Sequence, residues 1–455
     1  MAIFAIFVIS FFVFLALVIL GGRHRFSPVR VWMAMWSVAW LMNWLFGQVF
    51  YFSSDVVLVI FAGVLLDVIG AMAMWAGVRT TDQMHAEQAR NLEGELKNAK
   101  WLNALLLGLL LAAVLLMELG LRKISGNSLI GFLTSGRSGI FEIMRANQAA
   151  LYHNDGADFP AEFKLVTLIL TLTSIFICYR MSFSARIRSN TISLLILTFV
   201  SILFSGVTGV RSLLLVPLIV GFFSFYTGCV LNNRTRILTN WRTVTAAMVL
   251  VTGFIVWVIL VQSARLGDLN FSRTSATLEH MRPWIAGYVS ALSVWFEGQY
   301  NASDLGFGRV LFRAVLGPLG LVSGEGFDER IDAMVIGNWQ TSNAMTLFRV
   351  LIQDFGSVGA VIVCAVLGFL GEFTYLKALR RGGIWIVLLI VVYCSVFFSI
   401  NFWFFFYGAR VFGVIGAIVL MAYVSARVRR QVMANRSTRS VPPHSAAPVG
   451  AGEPS

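Results

Sequence analysis

The sequence predicts an all-α polytopic integral membrane protein, and three observations lead to that prediction. Of the 455 residues, 58% are hydrophobic and 13% are charged, and the mean hydropathy of +0.79 is outside the range of soluble globular domains. Apolar stretches of about 20 residues, enough for a helix to cross a hydrocarbon core, recur along nearly the whole chain. Lys and Arg collect in alternate connections between these stretches. Together these features predict about 11 transmembrane helices.

The candidate spans follow from the apolar stretches taken in order. The first begins at Met1 without a basic leader region or a small-residue cleavage site, so we interpret it as a retained helix and not as a signal peptide. The predicted spans are residues 2–20, 31–52, 55–77, 101–120, 162–179, 191–208, 212–231, 243–263, 350–376, 384–400 and 407–424.

The charge distribution predicts the orientation. Of the 35 Lys and Arg residues, 21 lie in one set of alternate connections together with the C-terminal tail, and 14 lie elsewhere. Because positive residues are retained on the cytoplasmic side, we expect the N-terminus outside and the C-terminus inside. The net charge of +13 then reflects topology, and we do not expect a nucleic-acid partner.

Residues 1–424 are expected to form one polytopic domain with two long outer loops. The loop 121–161 contains a segment with helical apolar spacing, IFEIMRANQAAL. The loop 264–349 interleaves aromatic and arginine residues and is too apolar to be disordered, which predicts interfacial or re-entrant helices on the outer surface. Residues 425–455 are predicted to be a disordered basic cytoplasmic tail.

Common catalytic signatures are absent from the sequence, which has no phosphate-binding loop, no HExxH and no GxSxG. The four cysteines fall in or beside apolar stretches, and the five histidines are scattered without metal-ligand spacing. We therefore expect no metal and no other cofactor. The remaining candidates for binding chemistry are arginines.

Arg211 falls between the sixth and seventh predicted spans, on the predicted outer face. It could be an interfacial arginine that only marks a helix end. An outer arginine opposes the charge bias, however, and Gly206 and Gly209 would let a ligand approach the backbone. Arginine forms two parallel hydrogen bonds with phosphate oxygens. Arg211 is thus a candidate ligand for a lipid-linked pyrophosphate.

The outer loop 264–349 supplies further candidates. Arg265, Arg273 and Arg282 follow the eighth span and could bind the same pyrophosphate, or could form salt bridges with Asp268 and Glu279. Two residues are candidate proton acceptors, with a structural role as the alternative: Glu297 and His280. Three aromatic residues could stack on sugar rings or anchor the loop in the membrane: Trp284, Tyr288 and Trp295.

Three segments resemble, in order and spacing, the signature regions of Wzy-type O-antigen and oligosaccharide repeat-unit polymerases. They are GVTGVRSLLLVPLIVGFFSFY, then YVSALSVWFEG in the long outer loop, then TSNAMTLFRVLIQDFGSVGAVIVCAVLGFLGEFTY, which together cover roughly residues 190–376. Carried onto this chain, the arginine of the hairpin motif is Arg211, and those at the start of the large loop are Arg265 and Arg273. The resemblance does not identify a catalytic base.

The resemblance implies a metal-independent membrane glycosyltransferase of the bacterial inner (cytoplasmic) membrane. Its substrate would be an oligosaccharide repeat unit carried on undecaprenyl pyrophosphate, and its partners would be membrane lipid and a chain-length regulator protein. Two alternatives stay open. One is an O-antigen ligase that uses the same donor, and the other is a flippase or transporter of lipid-linked oligosaccharides.

Overall fold

The computed structural model describes residues 2–20, 26–77, 96, 99–152, 160–183, 188–265, 274–317, 321, 334–337, 340–342, 346–401 and 404–439. These residues form α-helices, two short 3₁₀ helices (Thr235–Ile237 and Phe404–Phe406) and one two-stranded antiparallel hairpin, β1 (Met334–Gly337) and β2 (Gln340–Ser342). The helices are α1 (Ala2–Leu20), α2 (Pro28–Phe46), α3 (Ser54–Gly77), α4 (Lys100–Ser125), α5 (Leu129–Thr134), α6 (Gly136–Tyr152), α7 (Ala161–Met181), α8 (Arg188–Thr208), α9 (Ser212–Leu231), α10 (Trp241–Arg265), α11 (Thr274–Ala286), α12 (Tyr288–Gly298), α13 (Arg313–Leu316), α14 (Leu347–Arg381), α15 (Ile384–Phe398) and α16 (Gly408–Arg439).

The chain is a helical, multi-pass membrane protein. Within the described ranges, eight helices are long and apolar enough to cross a membrane: α3, α4, α7, α8, α9, α10, α14 and α16. Helices α1 and α15 are shorter apolar helices, and α2 is the remaining helix that corresponds to a predicted span.

The helices pack around two hydrophobic cores. The first is formed by α1, α2, α3, α11, α12, the hairpin and the start of α14, with Trp36, Trp40 and Phe348 fully buried at its centre. The second is formed mainly by α4, α7, α8, α9, α15 and α16, around Phe163 and Phe204. Because α14 contributes residues to both cores, it joins the two groups of helices.

Helices α3 and α14 lie in very close contact through glycines. A Cβ atom built on Gly70 would lie 1.9 Å from the carbonyl oxygen of Ala365, and one on Gly368 would lie 2.0 Å from that of Asp67. In a membrane, apolar side chains gain little by leaving lipid for protein, so close packing of small residues is a main source of helix association. The glycines therefore fix the α3–α14 pair.

Glu372 of α14 attaches α2 and α3 to this pair. Its carboxylate oxygens accept hydrogen bonds from the backbone N–H of Val29, at 3.0 Å, and from the indole N–H of Trp75, at 2.9 Å. Val29 is in the first turn of α2, where backbone N–H groups lack helical partners and favour a negative charge. The buried carboxylate therefore caps α2 from a different helix.

Helix α14 is broken near its start, and residues 306–312 are held against it at that point. Gly356 has φ 71° and ψ 176°, which lie outside the helical region, so a short first segment of α14 is separated from the long second one. Just before the break, the buried carboxylate of Asp354 accepts hydrogen bonds from the backbone N–H groups of Val310 (3.1 Å) and Leu311 (2.7 Å). The Asp-Phe-Gly sequence thus holds residues 306–312 against α14.

The connections collect at two opposite ends, as alternating spans require. We call the end that carries residues 47–53, α5, α6, 209–211, α11, α12, α13 and the hairpin the loop-rich end. Contacts between distant segments define it: the Asn147 side chain donates to the Val207 carbonyl (2.7 Å), the Tyr51 N–H to the Ile336 carbonyl (3.1 Å) and the Leu347 N–H to the Ser399 carbonyl (2.8 Å).

Of the helix boundaries that differ from the sequence prediction, three bear on the site and on the tail. Helix α2 ends at Phe46, so residues 47–52 are outside the helix that was predicted to contain them. Helix α14 begins at Leu347, inside the predicted loop 264–349. Helix α16 continues to Arg439, so residues 425–439 are helical and not the start of a disordered tail. The rest of that predicted tail, residues 440–455, is outside the described residues.

Candidate functional site

Arg211 and Trp284 are in direct contact at the loop-rich end. The guanidinium carbon of Arg211 lies 5.0 Å from the centroid of the Trp284 ring, within the range of a cation–π interaction. Arg211 is the residue just before α9 and makes no side-chain capping bond there, while Trp284 lies on α11 and is 40% exposed. The structure therefore brings together a residue predicted to bind pyrophosphate and one predicted to stack on a sugar.

The turn between α8 and α9 places Arg211. Gly209 has φ +65°, a left-handed conformation that glycine adopts without strain, and the Ser205 hydroxyl donates to the carbonyl of Val210 across the turn, at 3.0 Å. The indole N–H of Trp257 on α10 donates in turn to the Ser205 hydroxyl oxygen, also at 3.0 Å. Arg211 is thus held one residue beyond a turn that α10 helps to fix.

The two glycines of this turn accommodate protein neighbours. A Cβ atom on Gly206 would lie 3.4 Å from the Trp257 ring, and one on Gly209 would lie 3.1 Å from the backbone oxygen of Met144 in α6. The expectation that these glycines let a ligand approach is therefore replaced by a packing role. They let α10 and α6 approach the turn.

Arg282 also reaches the loop-rich end but contacts the protein. Its Nε donates to the carbonyl oxygen of Phe46, the last residue of α2, at 2.7 Å, and its guanidinium lies 5.8 Å from the Phe50 ring centroid. The last carbonyl groups of a helix lack helical partners and favour a cation. Arg282 therefore caps α2 and fixes α11 against it.

Glu297 forms the second cluster of the site, with a partner that sequence reasoning did not identify. The hydroxyl of Tyr51 lies 2.8 Å and 2.6 Å from the two carboxylate oxygens of Glu297, at an exposed position. Hydrogen bonds from Tyr51 and from Ser53 lower the pKa of Glu297 below its ordinary value. The same contact raises the pKa of Tyr51. Glu297 is therefore ionised at neutral pH, and the same hydrogen bonds make its carboxylate a weaker proton acceptor than a free one.

Two of the three predicted sugar-stacking residues are buried. The Tyr288 side chain is 3% exposed, and its hydroxyl donates to the carbonyl of Ala39, at 2.9 Å. Burial raises its pKa. Trp295 is 4% exposed, with the Arg349 guanidinium 5.1 Å from its ring centroid. Both rings pack in the protein interior, so the structure assigns them to the support of α12 and leaves Trp284 as the exposed ring.

The remaining predicted site residues have no described side chains. Arg265 is the last residue of α10, but its side chain is not among the described ones, and the same holds for His280 within α11. Arg273 is outside the described residues altogether. Their expected roles stay predictions.

Arg410 is enclosed by aromatic rings. Its guanidinium carbon lies 4.5 Å from the Tyr407 centroid, 5.5 Å from that of Phe398 and 5.9 Å from that of Phe404, and the residue is 6% exposed. The rings shield the cation from substrate. Arg410 therefore stabilises the connection between α15 and α16.

The arrangement can bind an anion at one place and accept a proton at another. Helix α12 separates the two clusters, and its length from Tyr288 to Glu297 corresponds to about 14 Å at 1.5 Å per residue. Within the described part of the chain, no group of three or more His, Cys, Asp or Glu side chains could hold a metal ion. Of the charged residues that the sequence predicted to bind or react, Arg211, Arg282 and Glu297 have described side chains, and Arg282 caps α2.

Tyr51 was missed because the sequence prediction placed it in the second span, residues 31–52. The end of α2 at Phe46 exposes it instead. The segment GQVFYFSS contains a signal for this boundary, since a glycine, a glutamine and two serines interrupt the apolar pattern.

Comparisons of the chain with protein-family models, with curated proteins and with solved structures gave no match in any of the three.

Proposed function

We propose that this protein is a membrane glycosyltransferase that polymerises oligosaccharide repeat units carried on undecaprenyl pyrophosphate, at the periplasmic face of a bacterial inner membrane. The observation that carries the proposal is the contact between Arg211 and the exposed ring of Trp284. A guanidinium that can bind phosphate and an aromatic face that can stack on a sugar then stand side by side at the end of membrane helices. A lipid-linked sugar presents the same two groups next to each other.

The reaction needs a base and a stabilised leaving group. A free sugar hydroxyl of one lipid-linked unit attacks the anomeric carbon of the growing chain, and its proton passes to the carboxylate of Glu297. The new glycosidic bond forms as the bond from that carbon to the pyrophosphate oxygen breaks, and undecaprenyl pyrophosphate leaves with the electron pair. Arg211 stabilises the charge that develops on this leaving group.

The orientation in this proposal comes from the charge distribution. The loop-rich end carries fewer of the Lys and Arg residues, which supports a periplasmic position for it and for the N-terminus. The C-terminus is then cytoplasmic. Reporter fusions test this directly: a periplasm-dependent reporter should be active after Gly298 and silent after Arg381, and the reverse pattern would exclude the proposed mechanism.

Substitution of Arg211 tests the function. In a strain that lacks the chromosomal gene, Arg211→Ala should abolish long polymer, because loss of one preorganised charge-stabilising donor typically lowers the rate by about 10²–10³. Arg211→Lys should restore only part of it, since lysine cannot form the bidentate pair. Polymer length on gels is the measurement. Arg309→Ala, at an exposed position of the same end, is the matched control and should give the wild-type ladder.

Protein levels must be equal in all strains. A wild-type ladder from Arg211→Ala would remove this residue from the site. If the deletion strain itself kept normal polymer length, the polymerase assignment would be overturned. If it lost all capped lipid A-core and not only the long chains, the activity would be that of a ligase.

A further inference from the structure

Helix α10 stands apart from the rest of the protein over half its length. Four successive residues, Met248 to Val251, are each 57–66% exposed. Successive residues of a helix point about 100° apart, so these four residues sample every face. No described element packs against this part of α10.

One exposed face of α10 continues from the contact of this helix with α8. The two helices meet where Trp257 contacts Ser205 and Gly206. Below this contact, the same face of α10 presents Gly253 and Leu250, one and two turns away. A Cβ atom built on Gly253 would meet nothing within 4 Å, and Leu250 is 57% exposed.

The facing side of α8 is also open and apolar. Ile202 and Leu195, which lie about one and three turns below Ser205 on the contacting face, are 38% and 64% exposed. Phe199, on the flank of that face, is 57% exposed. Below the contact, the sides of α8 and α10 that continue from it are therefore apolar and unpacked in the described part of the chain, and we call the strip between them the groove. From Leu195 to Ser205 the groove runs about 15 Å at 1.5 Å per residue.

The closed end of the groove lies next to Arg211. The Trp257 indole N–H donates a hydrogen bond to the Ser205 hydroxyl, and this hydroxyl donates one to the carbonyl of Val210, the residue before Arg211. An apolar groove at bilayer depth thus ends beneath a cation. This combination suits an amphiphile with a long hydrocarbon chain and a phosphate-bearing head, because each part meets the environment that stabilises it.

We propose that the groove between α8 and α10 binds the isoprenoid chain of the polyprenyl pyrophosphate substrate, with the pyrophosphate at Arg211. The identity of this lipid rests on the proposed function. The open groove extends toward the opposite end of the helices, so the chain can enter sideways from the bilayer without passing through either helical core.

Photo-crosslinking tests the proposal without relying on activity. The purified full-length protein carries p-benzoylphenylalanine at Leu195, in nanodiscs that contain labelled undecaprenyl pyrophosphate in phospholipid. The control carries it at Val419 on α16, which is 63% exposed and far from the groove in sequence and packing. We expect at least about tenfold more labelled lipid at Leu195 than at Val419, which corresponds to 1.4 kcal/mol of preference.

Two variants of α10 sharpen the test. Gly253→Trp places a large ring in the groove and should lower the labelling at Leu195 by about tenfold or more. Ile255→Trp adds the same ring on the opposite face of α10 and should leave it unchanged. Arg211→Ala should weaken labelling by undecaprenyl pyrophosphate but not by undecaprenol, which lacks phosphate.

The outcomes separate the groove from the function. Equal labelling at Leu195 and Val419 would overturn the groove, even if Arg211→Ala abolished long polymer. If phospholipid displaced the labelled lipid from Leu195 as effectively as unlabelled polyprenyl pyrophosphate does, the groove would be an ordinary lipid contact. A crosslink between two copies of the chain as the main product from Leu195 would assign the surface to a dimer. Selective labelling together with normal polymer in the deletion strain would support the groove and overturn the polymerase.

Discussion

Helices α3 and α10 are equally apolar membrane spans, yet they are packed very differently. In the most apolar window of each helix, 50% of the residues are buried in α3 and 12% in α10. Helix α3 lies against α14 over most of its length, whereas α10 contacts its neighbours near one end. Apolar character therefore predicts that both helices enter a membrane, but it does not predict what each one touches there.

Small residues account for the difference. Gly63 and Gly70 of α3 face Phe348 and Ala365 of α14, at distances that leave no room for a side chain. Gly253 of α10 has no neighbour within 4 Å of a built Cβ. Since lipid solvates apolar side chains as well as protein does, helices stay together where backbones can approach closely. The same residue type thus marks a contact in one helix and an open surface in the other.

The two packing regimes support different parts of the proposed site. Helix α12, which carries Glu297, packs on α3 and on the hairpin, within the closely packed group. Arg211 follows α8 next to the closed end of the groove. In the proposed mechanism, a rigid support would hold the base in place, and the groove beside the pyrophosphate site would admit the lipid.

The largest expected effect on stability comes from replacing a glycine of the closely packed α3–α14 pair by leucine. The same replacement in the open part of α10 is the comparison. Gly70→Leu should prevent stable folding or destabilise the protein by more than about 3 kcal/mol, because its Cβ would lie 1.9 Å from the Ala365 backbone oxygen. Gly253→Leu should be neutral or slightly stabilising, since it removes a helix-interior glycine in open space. Thermal unfolding in detergent, followed by size-exclusion chromatography, measures both.

Gly108→Leu, at another glycine with nothing within 4 Å of a built Cβ, is the second control and should behave like Gly253→Leu. Equal thermal stability of Gly70→Leu and Gly253→Leu would contradict the α3–α14 contact. Destabilisation by Gly253→Leu would show that the groove is closed.

The sequence predicts the fold well where apolar length is decisive and less well where packing is. Segments such as 55–77 and 212–231 agree with α3 and α9 almost to the residue, because a membrane span requires a minimum apolar length. The end of α2 was placed too late, since the aromatic residues that follow Phe46 are as apolar as a span but pack against the long loop. Hydropathy does not distinguish lipid from an aromatic neighbour.

The candidate site shows the same division. The sequence identified Arg211 and Trp284 separately, by residue type and position, but their contact depends on how α11 lies against the turn between α8 and α9 and has no local signal. Tyr288 and Trp295 have the composition of a sugar-binding surface, and only the three-dimensional packing shows that their rings are buried. Tyr51 was not recognised as a site residue because the predicted span 31–52 included it, whereas α2 ends at Phe46.

An intermediate effect is expected at the start of α14. Asp354→Ala should destabilise the protein by about 1–3 kcal/mol for each of the two buried N–H groups left without an acceptor, those of Val310 and Leu311. Asp354→Asn, which keeps one acceptor oxygen, should lose less. Asp304→Ala is the control at an exposed acid of the same loop. Thermal unfolding and limited proteolysis of residues 304–317 measure the difference, and wild-type stability of Asp354→Ala would exclude this anchoring role.

The smallest expected effect is a shift in the pH profile of kcat/KM, caused by a change at the Tyr51–Glu297 pair on the closely packed side of the site. Tyr51→Phe removes the main hydrogen bond that lowers the pKa of Glu297, so this carboxylate should become protonated at a higher pH than in the wild-type protein. If Glu297 is the base, the acidic limb of the pH profile of kcat/KM should move to higher pH, with little change in the activity at neutral pH. Tyr300→Phe, on the ring stacked 5.0 Å from Phe296 at the same end of α12, is the control and should leave the limb in place.

Since Arg211 and Trp284 lie on the open side, Trp284→Leu should instead raise KM without moving the limb. An unmoved limb in Tyr51→Phe would mean that Glu297 does not accept the proton, and a limb moved equally by Trp284→Leu would mean that the two sides of the site do not act separately.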